Sequence, residues 1–176
     1  MRLPFADPLT TVEAGPRVIP EPPRRGEPGG DPCTICGQDE GIWSDENWVL
    51  HNPVGCSLPG TLWLASRMHA DSFSDLPAHL AADFGSIVSR VEKAILSLGD
   101  IARVHLYRWG DGVAHFHVWF MPRPLGMIEA TRYALPVWAD HLPAASTEAI
   151  TAAGAAIASA MAADGVRIGL SPRPGC

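Results

Sequence analysis

Residues 110–123, Gly-Asp-Gly-Val-Ala-His-Phe-His-Val-Trp-Phe-Met-Pro-Arg, constrain the fold more tightly than any other stretch of the chain. After two turn glycines, His115, His117 and Trp119 alternate with apolar Phe116, Val118 and Phe120. That period of two is the pattern of a β-strand with one buried face. On such a strand His115 and His117 project the same way, about 6.6–7 Å apart, and Trp119 follows on that face. Two neighbouring imidazoles can hold a metal, attack a phosphorus atom, or divide those tasks.

The flanking sequence supplies the rest of an α+β domain. Ile42–Ser44 and Trp48–His51 read as short strands around an Asp45-Glu46-Asn47 turn, and Thr61–Ser66 as a third strand. From Leu76 to Leu98 the residues Leu80, Phe84, Ile87, Val88, Val91, Ile95 and Leu98 keep the spacing of one buried helical stripe, between Asp75 and Gly99. Ile101–Trp109 predicts the strand that pairs antiparallel with the histidine strand. Its Ala102, Val104, Leu106 and Arg108 share one face, with Arg103, His105 and Tyr107 on the other. Pro122 and Pro124 are expected to end the histidine strand. Residues 125–143 read as irregular, and Ser146 as the cap of a last helix through about Ala163, ended by Gly165. The organisation expected is a proline-rich arm over 1–31, the site-bearing domain over 32–125, and an extension over 126–176 whose helix packs on that domain. The arm carries no evident chemistry, and its Arg24-Arg25 pair reads as solvated.

A chain of 176 residues is one domain with room for a real core. Its formal charge of −6 argues against a bulk nucleic-acid or anionic-membrane surface, although a few local arginines can still serve a small anion. No apolar run reaches membrane-spanning length and the first residues lack a signal-peptide core, so the expected location is the cytoplasm.

A reducing cytosol disfavours a disulfide framework, so Cys33-Thr34-Ile35-Cys36 needs another explanation. With two histidines this pair offers the four ligands that tetrahedral zinc prefers, and His69 and His115 are the best candidates. The alternatives are a redox pair, which lacks its strand–CxxC–helix context here, and an inert pair. Cys56 reads as a structural thiol and Cys176 as a bystander at the chain end. His51, His79, His105 and His141 read as surface or hydrogen-bonded structural groups.

His115-Phe116-His117-Val118-Trp119-Phe120, followed by Met121-Pro122-Arg123, resembles the histidine-triad superfamily, which carries alternating histidines on a strand, often before Pro-Arg. The resemblance extends upstream. Residues 45–50 are similar to the family's first hairpin, Pro59-Gly60-Thr61-Leu62-Trp63-Leu64 to its Pro-Gly-His strand, and Arg67-Met68-His69 to its step before the long helix. It implies an antiparallel sheet of about five strands with a long helix across it, commonly in a homodimer. It also implies structural zinc on Cys33, Cys36, His69 and His115. The nucleophile it implies is His117, which attacks the α-phosphorus of a nucleoside phosphate or phosphoramidate to give a nucleotidyl-histidine.

Three residues depart from the family pattern. Trp119 replaces the third histidine, and indole offers one N–H and no proton relay. Asp111 stands near a position that contacts phosphate, where a carboxylate repels it. Thr61 replaces the histidine after Pro-Gly. Arg108 and Arg123 are the local candidates for binding phosphate, beside Trp119 and Asp111 in the substrate site. Trp43, Trp48, Trp63, Trp109 and Trp138 can stack a base or serve as core and interface. The expected function is therefore a nucleotidyl hydrolase or transferase acting through His117. The alternatives are a degenerate relative that binds a nucleotide or other ligand without turnover, and an enzyme with a remodelled, non-nucleotide pocket.

Overall fold

The computed structural model describes residues 1–6 and 10–168, so Cys176 lies outside the described residues. In chain order the elements are β1 (Trp43–Ser44), β2 (Trp48–His51), β3 (Leu62–Ser66), α1 (Ala78–Leu96), β4 (Ile101–Tyr107), β5 (His117–Pro124), α2 (Ala134–His141) and α3 (Thr147–Ile168). The five strands form one antiparallel sheet in the order β1-β2-β3-β5-β4. This is the α+β architecture expected from the sequence.

The first hairpin forms where the sequence places it. The Asp45 carboxylate accepts the backbone N–H groups of Asn47 and Trp48, both at 2.8 Å, and so closes the turn. Leu50, Leu64 and Val118 lie in register on one face of the sheet, and His51, Trp63, Trp119 and Tyr107 on the other. The first face packs under the α1 stripe of Leu80, Ile87, Val91 and Ile95, joined by Ile157 and Met161 of α3. The second face is partly covered by a smaller cluster in which Leu58, Met121, Ala130 and Leu135 pack with Trp138 and Leu142.

Several local expectations need correction. β5 begins at His117 and not before His115. Ahead of it the chain is held by the 66–70 segment, through Phe116 N–H to the Ala70 carbonyl and Ser66 N–H to the Phe116 carbonyl. Pro122 and Pro124 do not end β5, which runs through both. β3 pairs only as far as Phe120, so beyond it β5 has one free flank on which a missing N–H costs nothing. The stretch expected to be irregular contains α2. Gly165 does not stop α3, which continues to Ile168; one glycine costs a helix only about 1 kcal/mol.

Phe116 joins the core to the site. It is fully buried, 4.8 Å from the Phe73 ring, 5.6 Å from Phe84 and 6.0 Å from Trp48. Phe116→Ala is expected to cost about 3–5 kcal/mol, read as a fall in the urea midpoint at unchanged slope. A loss below about 1 kcal/mol would mean that this aromatic cluster does not anchor the histidine segment.

Candidate functional site

Cys33, Cys36, His69 and His115 come together although the segments that carry them are far apart in sequence. Their ligand atoms all lie within 4.8 Å of one another. The Cys33–Cys36 turn is tightened by Cys36 N–H on the Cys33 sulfur at 3.4 Å, and Gly37 follows at φ 83°. His69 leaves the end of β3, and His115 enters β5. Nδ1 of His69 is 3.2 Å from the Cys36 sulfur, and Nδ1 of His115 is 3.4 Å from Cys33 and 3.5 Å from Cys36. Ligands at tetrahedral zinc sit about 3.3–3.8 Å apart, given bonds of about 2.0–2.3 Å, so these three separations are near those of such an ion and the rest, within 4.8 Å, need only a small contraction.

His115 is oriented for this role. Its Nε2 is 2.8 Å from the Ser66 carbonyl, which fixes the proton there and leaves the Nδ1 lone pair facing the sulfurs. Burial pushes the His115 pKa down, while burial and then the neighbouring Cys33 side chain push the Cys36 thiol up. Burial thus disfavours both the imidazolium and the thiolate, and a divalent cation is a partner that would stabilise neutral imidazole and thiolate together.

The arm closes one side of this centre, which the sequence did not disclose. Gly26 sits at φ +87°, where a Cβ would lie 3.1 Å from the His69 ring and 3.2 Å from Cys33 Cβ and the Ala114 carbonyl. Arg24, expected to be a free solvated charge, is ion-paired and only partly exposed. Its guanidinium meets Asp71 at 2.6 and 3.2 Å, Glu27 at 2.5 and 3.0 Å, and the Gly110 carbonyl at 2.5 Å. Hydrogen bonds to Asp71 and then Glu27 raise the Arg24 pKa further above its ordinary value. The Arg24–Glu27 spacing was visible in sequence, whereas Asp71 arrives only through the fold.

His117 is held by its own chain. Nδ1 is 2.7 Å from the His115 carbonyl, so the neutral ring keeps its proton on Nδ1 and its lone pair on Nε2. The Trp63 indole meets the ring edge-on at 6.3 Å and 84°, and is itself stacked on His51 at 3.9 Å. A candidate metal ligand and a candidate nucleophile are thus linked by one peptide carbonyl.

Of the other expected substrate contacts, Arg108, Asp111 and Arg123 do not converge on His117. Arg108 lies over the Phe116 ring at 5.7 Å and donates to the Asp71 carbonyl at 2.5 Å. With Asp111, Arg24 and Glu27 it lines a polar recess on the Phe116 side of the chain. Arg123 donates to the Met127 carbonyl at 3.1 Å, opposite Arg103 in the sheet. Trp119 shares the sheet face of His117, with Trp63 beside both rings, and forms a wall of a cleft of about 600 Å³ between the sheet, the 53–57 loop and α2. That cleft is also lined by Cys56, a packing group whose thiol pKa burial pushes up.

His51 is not a surface group, being only 8% exposed, and its Nε2 and that of His105 have no hydrogen-bond partner among the described residues. Burial lowers the pKa of both. Because the unfolded chain takes up these protons first, stability is lost as pH falls through the ordinary histidine value of about 6.5. Melting curves at pH 8 and 5.5 are expected to show this loss, and the double variant His51→Gln, His105→Gln should reduce it. An unchanged slope in the double variant would assign acid sensitivity to other groups.

No family model and no curated protein matches this sequence. Solved structures do. A histidine triad protein from Bradyrhizobium japonicum superposes with a TM-score of 0.56 at 19% identity, over 69% of this chain and 90% of that one. A hypothetical histidine triad nucleotide-binding protein from Sulfolobus tokodaii gives 0.55 at 15% identity, over 73% and 87%. A zinc-bound histidine triad family protein from Mycobacterium smegmatis gives 0.51 at 18% identity, over 72% and 86%. The chain has the histidine-triad fold.

Proposed function

We propose that this chain is a nucleotidyl hydrolase or transferase that acts on a nucleoside phosphate or phosphoramidate through a covalent nucleotidyl-His117 intermediate. The observation that carries the reading is the 2.7 Å contact between His117 Nδ1 and the His115 carbonyl. It presents Nε2 as the lone-pair nitrogen and can share the positive charge that the ring gains when Nε2 bonds phosphorus. The leaving group departs with the electron pair of its bond to phosphorus. Water or another acceptor then attacks the phosphorus, and His117 is regenerated. Cys33, Cys36, His69 and His115 would hold structural zinc, a reading supported by their geometry and by the zinc-bound structural neighbour. Zinc held there would supply a crosslink that fixes the backbone carrying His117. The reading includes a cytoplasmic homodimer.

One observation favours a remodelled pocket over standard nucleotide chemistry. None of the residues lining the Trp119 cleft is lysine or arginine. The test is intact mass at neutral to mildly alkaline pH, which preserves a phosphorus–nitrogen bond, after mixing with adenosine and guanosine phosphoramidates and dinucleoside polyphosphates. A mass increase of one nucleotidyl group supports the reading. Neither adduct nor product from any of these substrates rejects it in favour of a ligand-binding or remodelled protein.

A further inference from the structure

We propose that the cleft between Trp119 and α2 is a binding site for an aromatic ammonium compound, a ligand with a flat ring and a positive charge. This goes beyond the transfer reaction and stands on the cleft alone; only its use by the enzyme rests on the reading above. The cleft holds about 600 Å³, within the range of sites that enclose a small organic molecule. Its aromatic wall is made by Trp109 and Trp119, whose rings lie 6.5 Å apart at 54°, with one face of Trp109 already stacked on Tyr107 at 5.1 Å. Trp109 keeps 43% of its surface exposed, and Met121 forms an adjacent apolar wall.

The polar groups select the sign of charge. Asp140 of α2 is the only charged side chain lining the cleft, and among the described residues no cation pairs with it. The Ser57 hydroxyl donates to the Ala139 carbonyl at 2.7 Å and that of Thr61 to the Leu58 carbonyl at 2.8 Å. Their hydrogens are committed, so both offer the cleft acceptor lone pairs. A carboxylate, acceptor oxygens and indole faces together attract a protonated amine and repel an anion. Trp119 replaces a histidine at the position next to the candidate nucleophile, and α2 supplies Asp140. Trp119 and Thr61, two of the three departures from the family pattern, therefore meet in one cleft with Asp140.

Calorimetric titration of the full chain at pH 7 with 1-naphthylmethylamine, 1-naphthylacetate and cyclohexylmethylamine tests the assignment. The aromatic amine is expected to bind at least tenfold tighter than either of the others. Asp140→Asn should bring amine and acetate within about threefold, and Trp119→Leu should remove the preference for the aromatic ring. Equal binding of acetate and amine, a preference untouched by Asp140→Asn, or no binding of any probe at millimolar concentration would overturn it. Amine binding without a His117 adduct leaves the cleft assigned and the transfer reaction rejected; an adduct without amine binding does the reverse.

Discussion

Cys36→Ser is expected to abolish stoichiometric zinc binding and to lower the melting temperature by about 8–16 °C. The magnitude follows from linkage. A ligand present at about a thousand times its dissociation constant stabilises the native state by about 4 kcal/mol, and a chain of this size loses about 2–4 °C per kcal/mol. The chain should nonetheless remain folded, because the cluster of Trp48, Leu64, Phe116, Val118 and the α1 stripe is built without the centre. The loss should be concentrated where the centre joins separate segments: the arm at Gly26 and Cys33, the loop after β3 at His69, and the entry to β5 at His115. Native mass spectrometry and melting curves with and without a chelator check this. One zinc per wild-type chain, none in the variant and equal melting temperatures for variant and chelated wild type are the expected results. A variant that retains zinc, or a wild type indifferent to chelation, would show that the four side chains do not act as a metal centre.

The parts of this molecule that were legible in sequence are those fixed by local periodicity or by a turn. The α1 stripe, the Asp45 turn and the alternation from His117 to Phe120 each follow from a few neighbouring residues. The gathering of Cys33, Cys36, His69 and His115 was also legible, because a Cys-x-x-Cys turn outside a redox context points to histidine partners and the family resemblance picks out which two. Contacts made only by the fold stayed hidden. Nothing near Arg24 in sequence announces Asp71 or the Gly110 carbonyl, so a clasp between arm and domain read as solvated charge. Arg108 misled for the converse reason. It follows directly on β4, and its guanidinium turns toward Phe116 and away from His117. The prolines of β5 misled because their tolerance depends on where β3 stops pairing, which the β5 sequence does not record. The second wall of the Trp119 cleft belongs to α2, a helix too short and too interrupted by proline to show a clear period.

His117→Ala is expected to lower the rate of nucleotidyl transfer by at least about 10³-fold, the scale of losing a nucleophile, while zinc content and melting temperature stay close to wild type. The separation is possible because the ring is only partly buried, and its one hydrogen-bond contact among the described residues is to a carbonyl that remains in place. Removing it takes an edge contact from Trp63, which keeps its stacking on His51. A structural histidine would give the opposite pattern, with stability falling in step with activity. His117→Gly sharpens the test, since added imidazole can enter the space and attack phosphorus in place of the lost ring. Its expected result is partial recovery of turnover that saturates with imidazole and leaves no mass adduct on the protein. Activity surviving in both variants would remove His117 from the chemistry and leave the 2.7 Å contact with the His115 carbonyl as a brace beside the metal centre. Activity lost in both, with normal stability and no imidazole rescue, would make the ring a positioning residue for a nucleophile elsewhere. Only rescue together with a wild-type adduct assigns the bond to phosphorus to this nitrogen.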